Sequence, residues 1–440
     1  MSPQIEIKIN SLSSTGEGVG SWGGMKVFVD GALPGEEVAA RITHQKKTYA
    51  KAELLKIISP SFDRTEPLCS LFGMCGGCQL MHLQYPAQLL VKKQRVVDAL
   101  KRIGGFHDTE VLPCLPSPSS LGYRNKIQLP IIWDHGKKRM GLYRKQSHEI
   151  IPLKNCFIQC PQGEEIRALI TDKLTIPSVR YTLIRNAIFQ DEALVIFVTK
   201  GSFSKDLKIF AEELMASHSL IKGVVENLNA RSDNVILGAT FRLLSGRPYI
   251  YEKILNKTFK ISPSAFFQVN PAQAEHLYAK AIEFAEIKPH ETVLDAYCGV
   301  GALALFAADR SKKVFGTECV SSAVADAIEN ARLNHQESCT FQCGHAEEMI
   351  HHFSSLDTVF LNPPRGGCDP RLIQALLQKK PKKLVYISCD PATLARDLAT
   401  LSPLYSINTV QPIDMFPQTM HVETIVRLTL RSAISNPKSL

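Results

Sequence analysis

Three groups of residues in this chain could do chemistry. The first is Cys69, Cys75 and Cys78, spaced C-x5-C-x2-C with two glycines between the last pair. Thiols this close on one loop are soft metal ligands, and softness and spacing admit zinc or iron–sulfur. A fourth ligand is required, and Cys156, Cys160 and Cys114 are candidates. The second group is Asp295-Ala296-Tyr297-Cys298-Gly299-Val300-Gly301. Its glycines permit a tight turn and let a ligand approach the backbone. Gly299 to Ala304 fits G-x-G-x-x-A, a weak signal alone. Glu318 lies 23 residues beyond Asp295, where an acid that binds ribose hydroxyls belongs. The third group is Asn362-Pro363-Pro364-Arg365, Cys389 and Glu423. A lone strand-end cysteine is usually a small buried hydrophobe. Beside a nucleotide turn and the Asn-Pro-Pro-Arg segment, Cys389 reads as a nucleophile facing a cleft.

The elements that must position these residues follow from periodicity. Thr292 to Leu294, Lys313 to Gly316, Thr358 to Leu361 and Leu384 to Ile387 read as strands separated by helical stretches. That order indicates βαβ units and a doubly wound sheet, whose ligands sit at the carboxyl ends of the strands. Asn270-Pro271 reads as the cap and first residue of a helix in which Ala274, Leu277, Tyr278, Ala281 and Ile282 share a face. Gln84 to Ile103 is helical and closes at Gly104-Gly105. Residues 1–58 alternate as short strands with dense glycine between them, which suggests a small barrel. The stretch His44 to Lys51, with three lysines and Tyr49, suits a nucleic-acid face or a solvated loop equally. Pro113 to Ser120 reads as a linker, and residues 180–260 as short β-like pieces. Residues 120–145 hold seven Lys/Arg and one Asp, interleaved with Tyr123, Trp133 and Tyr143. That pattern suits single-stranded nucleic acid, where phosphates need charge and bases need stacking partners.

The whole chain sets bounds on these readings. Its 440 residues imply two to four domains, and 45% hydrophobic content supports packed cores. Twelve cysteines in so long a chain do not make a disulfide scaffold. The net charge of +9 is compatible with a polyanionic partner without naming one. Met1 to Asn10 has no apolar leader, and no run approaches the ~20 apolar residues that span a bilayer. The expectation is a cytoplasmic monomer with no membrane association and no protein partner implied.

The chain resembles the S-adenosylmethionine-dependent RNA (uracil-5)-methyltransferases, most closely the 23S ribosomal RNA branch with an iron–sulfur cluster. The residues that carry the resemblance are Phe267-Gln268-Val269-Asn270, Asp295 to Gly301, Asn362 to Arg365, Ser388-Cys389 with Pro391-Ala392-Thr393, and His421-Val422-Glu423-Thr424. It implies an OB-like β-barrel of the TRAM type over 1–60 and a central α+β domain over 61–260. A C-terminal α/β, Rossmann-like methyltransferase with a mostly parallel sheet would occupy 261–440. It further implies donor contacts from Gln268, Tyr297, Glu318 and Asn362 beside Asp295, Gly299 and Gly301. A 4Fe–4S cluster would be held by Cys69, Cys75, Cys78 and Cys156, and Tyr123 to Lys126 would lie near RNA.

The implied chemistry explains the residue types. Carbon 5 of uracil is a poor nucleophile. Addition of the Cys389 thiolate at carbon 6 makes carbon 5 enolate-like, and Glu423 removes the carbon-5 proton after methyl transfer. Two positions depart from the family. Asn362 stands where the family usually has Asp, which removes a charge and adds a donor. Ala302 stands where a polar residue is common. Asn362 keeps two alternatives open beside the leading one, a homologue impaired in catalysis and an amino-group methyltransferase using the Asn-Pro-Pro segment. The resemblance, whose cluster-bearing members include tRNA enzymes, keeps open a third, a tRNA substrate. A nicotinamide oxidoreductase would leave Cys389 and Glu423 unexplained.

Overall fold

A computed structural model of the protein describes residues 3–431. The N-terminal strands β1 (Gln4–Leu12), β2 (Gly18–Trp22), β3 (Met25–Val29), β4 (Glu37–Gln45) and β5 (Tyr49–Ser59) close into a barrel in the order β1-β2-β3-β5-β4. The alternation of β1 drives this closure. Ile5, Ile7 and Ile9 point into the barrel core, while Glu6 and Lys8 face solvent.

The cysteine-bearing loop follows, and then α1 (Tyr85–Arg102). A seven-stranded central sheet comes next, in the order β12-β11-β10-β9-β6-β7-β8. Its strands are β6 (Lys126–Asp134), β7 (Lys137–Tyr143), β8 (Ile150–Pro152), β9 (Val179–Ala187), β10 (Glu192–Thr199), β11 (Ile221–Leu228) and β12 (Thr240–Gly246). Two helices, α2 (Pro161–Lys173) and α3 (Lys205–Ser217), cover one face. The sequence reading of 180–260 as β pieces overlooked α3. Leu207, Phe210, Ala211 and Leu214 form its buried stripe, and the Ser204 hydroxyl caps it by accepting from the Leu207 amide at 3.2 Å.

Strands β13 (Ile250–Ile254) and β14 (Lys257–Ile261) form a hairpin that leads to α4 (Pro271–Ala285). As the sequence predicts, Asn270 caps α4, its side chain accepting from the Gln273 amide at 3.2 Å. The last sheet has the order β17-β16-β15-β18-β19-β21-β20. It contains β15 (Thr292–Asp295), β16 (Lys313–Glu318), β17 (Cys339–Cys343), β18 (Thr358–Leu361), β19 (Lys383–Ser388), β20 (Tyr405–Ile413) and β21 (Glu423–Leu430). The crossovers are α5 (Ala302–Ala308), α6 (Ser321–Leu333), α7 (Ala346–Met349), α8 (Pro370–Lys379) and α9 (Pro391–Leu401). The first five strands run parallel, and β21 pairs antiparallel with both β19 and β20.

The central and last sheets share a core. Along β10, Val195 and Phe197 pack under α2 and α3, while Leu194, Ile196 and Val198 join β14, α4 and α5 on the other face. Helix α1 is also built into the last sheet's core, through Val96 and Leu100. The segment 113–120, which reads as a linker, is a strap along the outer strand. Leu112 and Leu115 donate to the carbonyls of Val410 and Pro412 at 3.0 and 2.9 Å. An edge strand leaves backbone groups unpaired, and the strap satisfies them.

Candidate active site

Strand order dictates what meets at the cleft. The sheet changes direction between β15 and β18, and the crevice outside their carboxyl ends is where such sheets bind ligands. Asp295 ends β15, Asn362 follows β18, and Cys389 follows β19. Strand β21 contributes a fourth group from the opposite direction. The β19–β21 ladder ends at the pair Ser388–Thr424, so the next residue on each side is Cys389 or Glu423. Two residues 34 apart in sequence therefore stand side by side at the mouth of the sheet.

The electrostatics of this pair are unusual. Glu423 is 6% exposed, and its burial pushes the carboxyl up from an ordinary 4.5 to about 7, against the opposing pull of Arg365. Cys389 is half-buried. Burial and then the Glu423 charge push its thiol up to about 11, while Arg365 works in the opposite direction. Arg365 is exposed and also faces His421, its guanidinium 3.4 Å from Nε2. The turn that carries Arg365 is tied to the helix behind the cysteine. Thr393 Oγ1 donates to the Arg365 carbonyl at 3.3 Å, and Arg396 donates to the Gly366 carbonyl at 2.9 Å. That helix, α9, is capped by Asp390, which accepts from the amides of Ala392 and Thr393 at 2.9 and 3.1 Å.

The glycine turn has the features of a ligand cradle. Gly299 sits at φ +52°, and a Cβ built on it would meet nothing within 4 Å. Glu318 accepts from the Gly299 amide at 3.2 Å and from the Val320 amide at 2.9 Å, which fixes its carboxylate beside the turn. Gly301, at φ +88°, lies against Phe341. No hydrogen bond within 3.5 Å reaches either carboxylate oxygen of Asp295 among the described residues, and burial pushes this acid up to about 7 against the weaker pull of the Tyr297 and Ala304 amides. A buried acid so weakly satisfied and open space over a glycine fit a polar ligand seated on this turn. Asn362 and Tyr297 are half-buried, and Tyr297 neighbours Cys368. Gln268 is buried at the other side of the cleft, its carbonyl accepting from Asn125 Nδ2 at 3.2 Å.

Tyr278 is a residue the sequence reading passed over as one more apolar position of α4. It is 5% exposed, and its hydroxyl is held well above its ordinary range by burial and by the charges of Asp295 and Glu423, with Gln268 opposing them. A polar tip within the buried stripe of α4 was the available signal.

The cysteine loop lies apart from this cleft, against the barrel. Cys69, Cys78 and Cys156 pack on one small apolar cluster, and Cys78 is pushed up to about 12 by burial and then by Cys156, Cys75 and Cys69. All four are free. Cys75 Sγ accepts from the Gly77 amide at 3.3 Å, and the amides of Gln159 and Ile158 favour the Cys156 thiolate. Backbone amides that donate to thiolate sulfur suit an iron–sulfur site. Among the described residues, no three His, Cys, Asp or Glu side chains are close enough together to hold a single metal ion. A cleft of about 180 Å³ separates the loop from the barrel, lined by Asp30, Cys75, Cys78, His82 and Lys145.

The structure corrects the reading of 120–145 as a set of free stacking aromatics. Tyr123 is 4% exposed and its hydroxyl donates to the Pro417 carbonyl at 2.9 Å. Trp133 donates to the Val179 carbonyl at 3.2 Å, and Tyr143 shares a hydrogen bond with Tyr181 at 2.8 Å. Several of the cations are also engaged: Lys145 with Asp30, Arg144 with Glu149, and Lys138 with the Leu174 carbonyl. Trp133 packs against the core of the central sheet, Tyr123 against Met81 and Ile158, and Tyr143 is half-buried on β7; alternation of charge with ring is what a half-buried hairpin produces.

Comparison with known proteins places this geometry. The structure superimposes on the crystal structure of Pyrococcus abyssi tRNA (uracil-54, C5)-methyltransferase in complex with S-adenosyl-L-homocysteine. The TM-score is 0.76 at 29% identity, covering 97% of this chain and 100% of that one. Fold and glycine turn together define an S-adenosylmethionine-dependent methyltransferase. Residues 243–431 match the family model described as tRNA (Uracil-5-)-methyltransferase, and residues 4–55 match the TRAM domain. Two relatives named as RNA methyltransferases align end to end. One, from Clostridium tetani, is 40% identical over 96% of this chain and 95% of its own; one from Bacillus cereus is 38% identical over 97% and 96%. The chain belongs to the RNA (uracil-5)-methyltransferase family, with RNA as its substrate class. No helix among the described residues is long and apolar enough to cross a membrane.

Proposed function

We propose that the chain transfers a methyl group from S-adenosylmethionine to carbon 5 of a specific uridine in 23S ribosomal RNA. One observation carries this reading: the antiparallel β19–β21 ladder sets Cys389 beside Glu423, with Arg365 acting on both, next to the glycine turn. The Cys389 thiolate adds to carbon 6 of the base, and the electrons of the 5,6 double bond move to carbon 5. Carbon 5 takes the methyl group from the sulfonium donor, releasing the thioether. Glu423 accepts the carbon-5 proton, the double bond re-forms, and the carbon–sulfur bond breaks to return the thiolate. A carboxyl with a pKa near 7 is matched to that proton transfer at neutral pH. Arg365 favours the thiolate and, at the same cleft, would be available to charge that develops on the uracil carbonyls.

Asp295, Gly299, Gly301 and Glu318 would seat the donor on the turn, with Gln268, Tyr297 and Asn362 around it. Cys69, Cys75, Cys78 and Cys156 would hold a 4Fe–4S cluster, which would tie the barrel-side loop to the central sheet. The packing of Cys69, Cys78 and Cys156 on one cluster, and the amides that donate to Cys75 and Cys156, support that ligand set. No step of the methyl transfer passes through it.

A second reading, methylation of tRNA, draws on the likeness to the Pyrococcus enzyme over the whole chain. Mapping 5-methyluridine in ribosomal and transfer RNA from cells with and without this protein decides between the two. The mechanism is tested with RNA carrying 5-fluorouridine at the target. Fluorine in place of the carbon-5 proton blocks elimination and traps the adduct. The adduct forms with the parent and is absent in Cys389→Ala; an adduct that survives in that variant moves the nucleophile elsewhere.

A further inference from the structure

Glu423 opens β21 opposite Ile413, the last residue of β20, but the segment Asp414–Met420 that joins the two strands has no regular secondary structure, so its own contacts must fix the path by which the chain enters Glu423. Gln418 in this segment adopts φ +68°, a left-handed conformation that a non-glycine residue takes only when its surroundings hold it there. Its surroundings are specific. Gln88 on α1 is 1% exposed and grips Gln418 twice: Nε2 donates to Gln418 Oε1 and Oε1 accepts from the Gln418 amide, both at 3.0 Å. The same Nε2 reaches the carbonyls of Leu80 and Leu83 at 3.0 and 2.8 Å. The Gln418 carbonyl accepts from the amides of Gln79 and Leu80, both at 2.9 Å, and Gln79 Oε1 accepts from the Met420 amide at 3.3 Å. Gln79 directly follows Cys78, so the thiol loop is hydrogen-bonded to the segment that leads into Glu423.

We infer that Gln88, with Gln79, is a positioning residue for the methylation reaction: it locks Gln418 and thereby sets the Glu423 carboxylate against carbon 5 of the base. The inference rests on the function proposed above and adds to it. Neither glutamine is placed at the cleft, so neither touches the reacting atoms. Releasing Gln418 lets Glu423 drift, and a displacement of ~1 Å at a reacting group costs on the order of 100-fold in rate. The penalty falls chiefly on proton removal, because Glu423 is the base only in that step; its charge opposes the Cys389 thiolate, so its displacement does not slow the addition.

The test is single-turnover methylation of the native RNA by Gln88→Leu and by the milder Gln79→Ala, with a labelled methyl donor. The labelled RNA that remains covalently attached to protein after denaturation is quantified. Both variants hold a methylated Cys389 adduct that the parent clears, Gln88→Leu more than Gln79→Ala. In Gln88→Leu, kcat falls about tenfold or more while KM for RNA and donor stays within about twofold. Trapping by 5-fluorouridine RNA keeps the parent rate, since that RNA has no carbon-5 proton. Hydrogen exchange at the amides of Gln418 and Met420 quickens in both. Turnover that falls in step with the trapping rate, a rise in KM alone, or no retained adduct in either variant overturns the inference. A parent chain that forms no 5-fluorouridine adduct at all overturns the proposed function itself.

Discussion

Replacing Glu423 with Gln separates what this residue does for the reaction from what it costs the fold. The carboxyl is almost wholly buried, and its affinity for a proton rises from an ordinary 4.5 to about 7 in the folded chain. A carboxyl raised in this way destabilises the native state only when ionised. The cost is absent below about pH 4.5, grows between there and pH 7, and is complete above it. At about 1.4 kcal/mol per pH unit, the interval corresponds to roughly 3 kcal/mol. An amide of the same shape never ionises, so Glu423→Gln removes that cost. Desolvating the amide returns part of the gain, on the order of 1 kcal/mol. The variant is therefore more stable than the parent at pH 8 by about 2 kcal/mol; the advantage is gone by about pH 5, and below that the variant is the less stable by up to about 1 kcal/mol. Thermal or denaturant unfolding of both proteins across this range measures it. In the same variant, turnover falls by about 100-fold or more as the base is lost, and the methylated adduct persists. A variant no more stable at pH 8, or one whose advantage is equal at pH 4.5 and pH 8, refutes the account of a desolvated charge. Undiminished turnover refutes the role of base.

Other perturbations follow from the same geometry. Arg365→Gln removes the charge that lowers the Cys389 thiol, so the alkaline rise of kcat/KM moves to higher pH, measured as a pH–rate profile. Lys92→Met leaves the fully buried Asp414 without its partner and costs about 3–5 kcal/mol, and a second change, Asp414→Leu, restores most of that in unfolding experiments. Gly299→Ala strains a left-handed turn by about 1 kcal/mol and sets a methyl in open space over it. Its KM for the donor rises more than its stability falls. Cys78→Ala loses iron and acid-labile sulfide from the purified protein, measured by metal and sulfide analysis, while Cys160→Ala keeps both.

Much of the architecture was legible in the chain. The alternation of Ile5, Ile7 and Ile9 announces a two-faced strand, and Asn270-Pro271 announces a helix start, because each signal is local. The helix at 205–217 was missed although Ser204 caps it. Its apolar stripe lies within a stretch dominated by β-branched strands, and local propensity was outweighed by its neighbours. At 120–145 a half-buried hairpin and a nucleic-acid face share one sequence pattern, and only burial tells them apart.

The sequence by itself determined the chemical inventory: a glycine turn after a strand, an acid at the end of the next strand, a cysteine at a strand end, a glutamate before an apolar run, and three clustered thiols. These depend on residue type and short spacing, which do not change on folding. Tertiary structure decided which of them act together. Cys389 meets Glu423 because β21 enters the sheet antiparallel, and no local pattern specifies the direction of an edge strand. The proton affinities of both groups are set by burial, which belongs to the packed molecule and not to either residue. The hold of Gln88 on Gln418 spans 330 positions and exists only because α1 folds into the core of the last sheet.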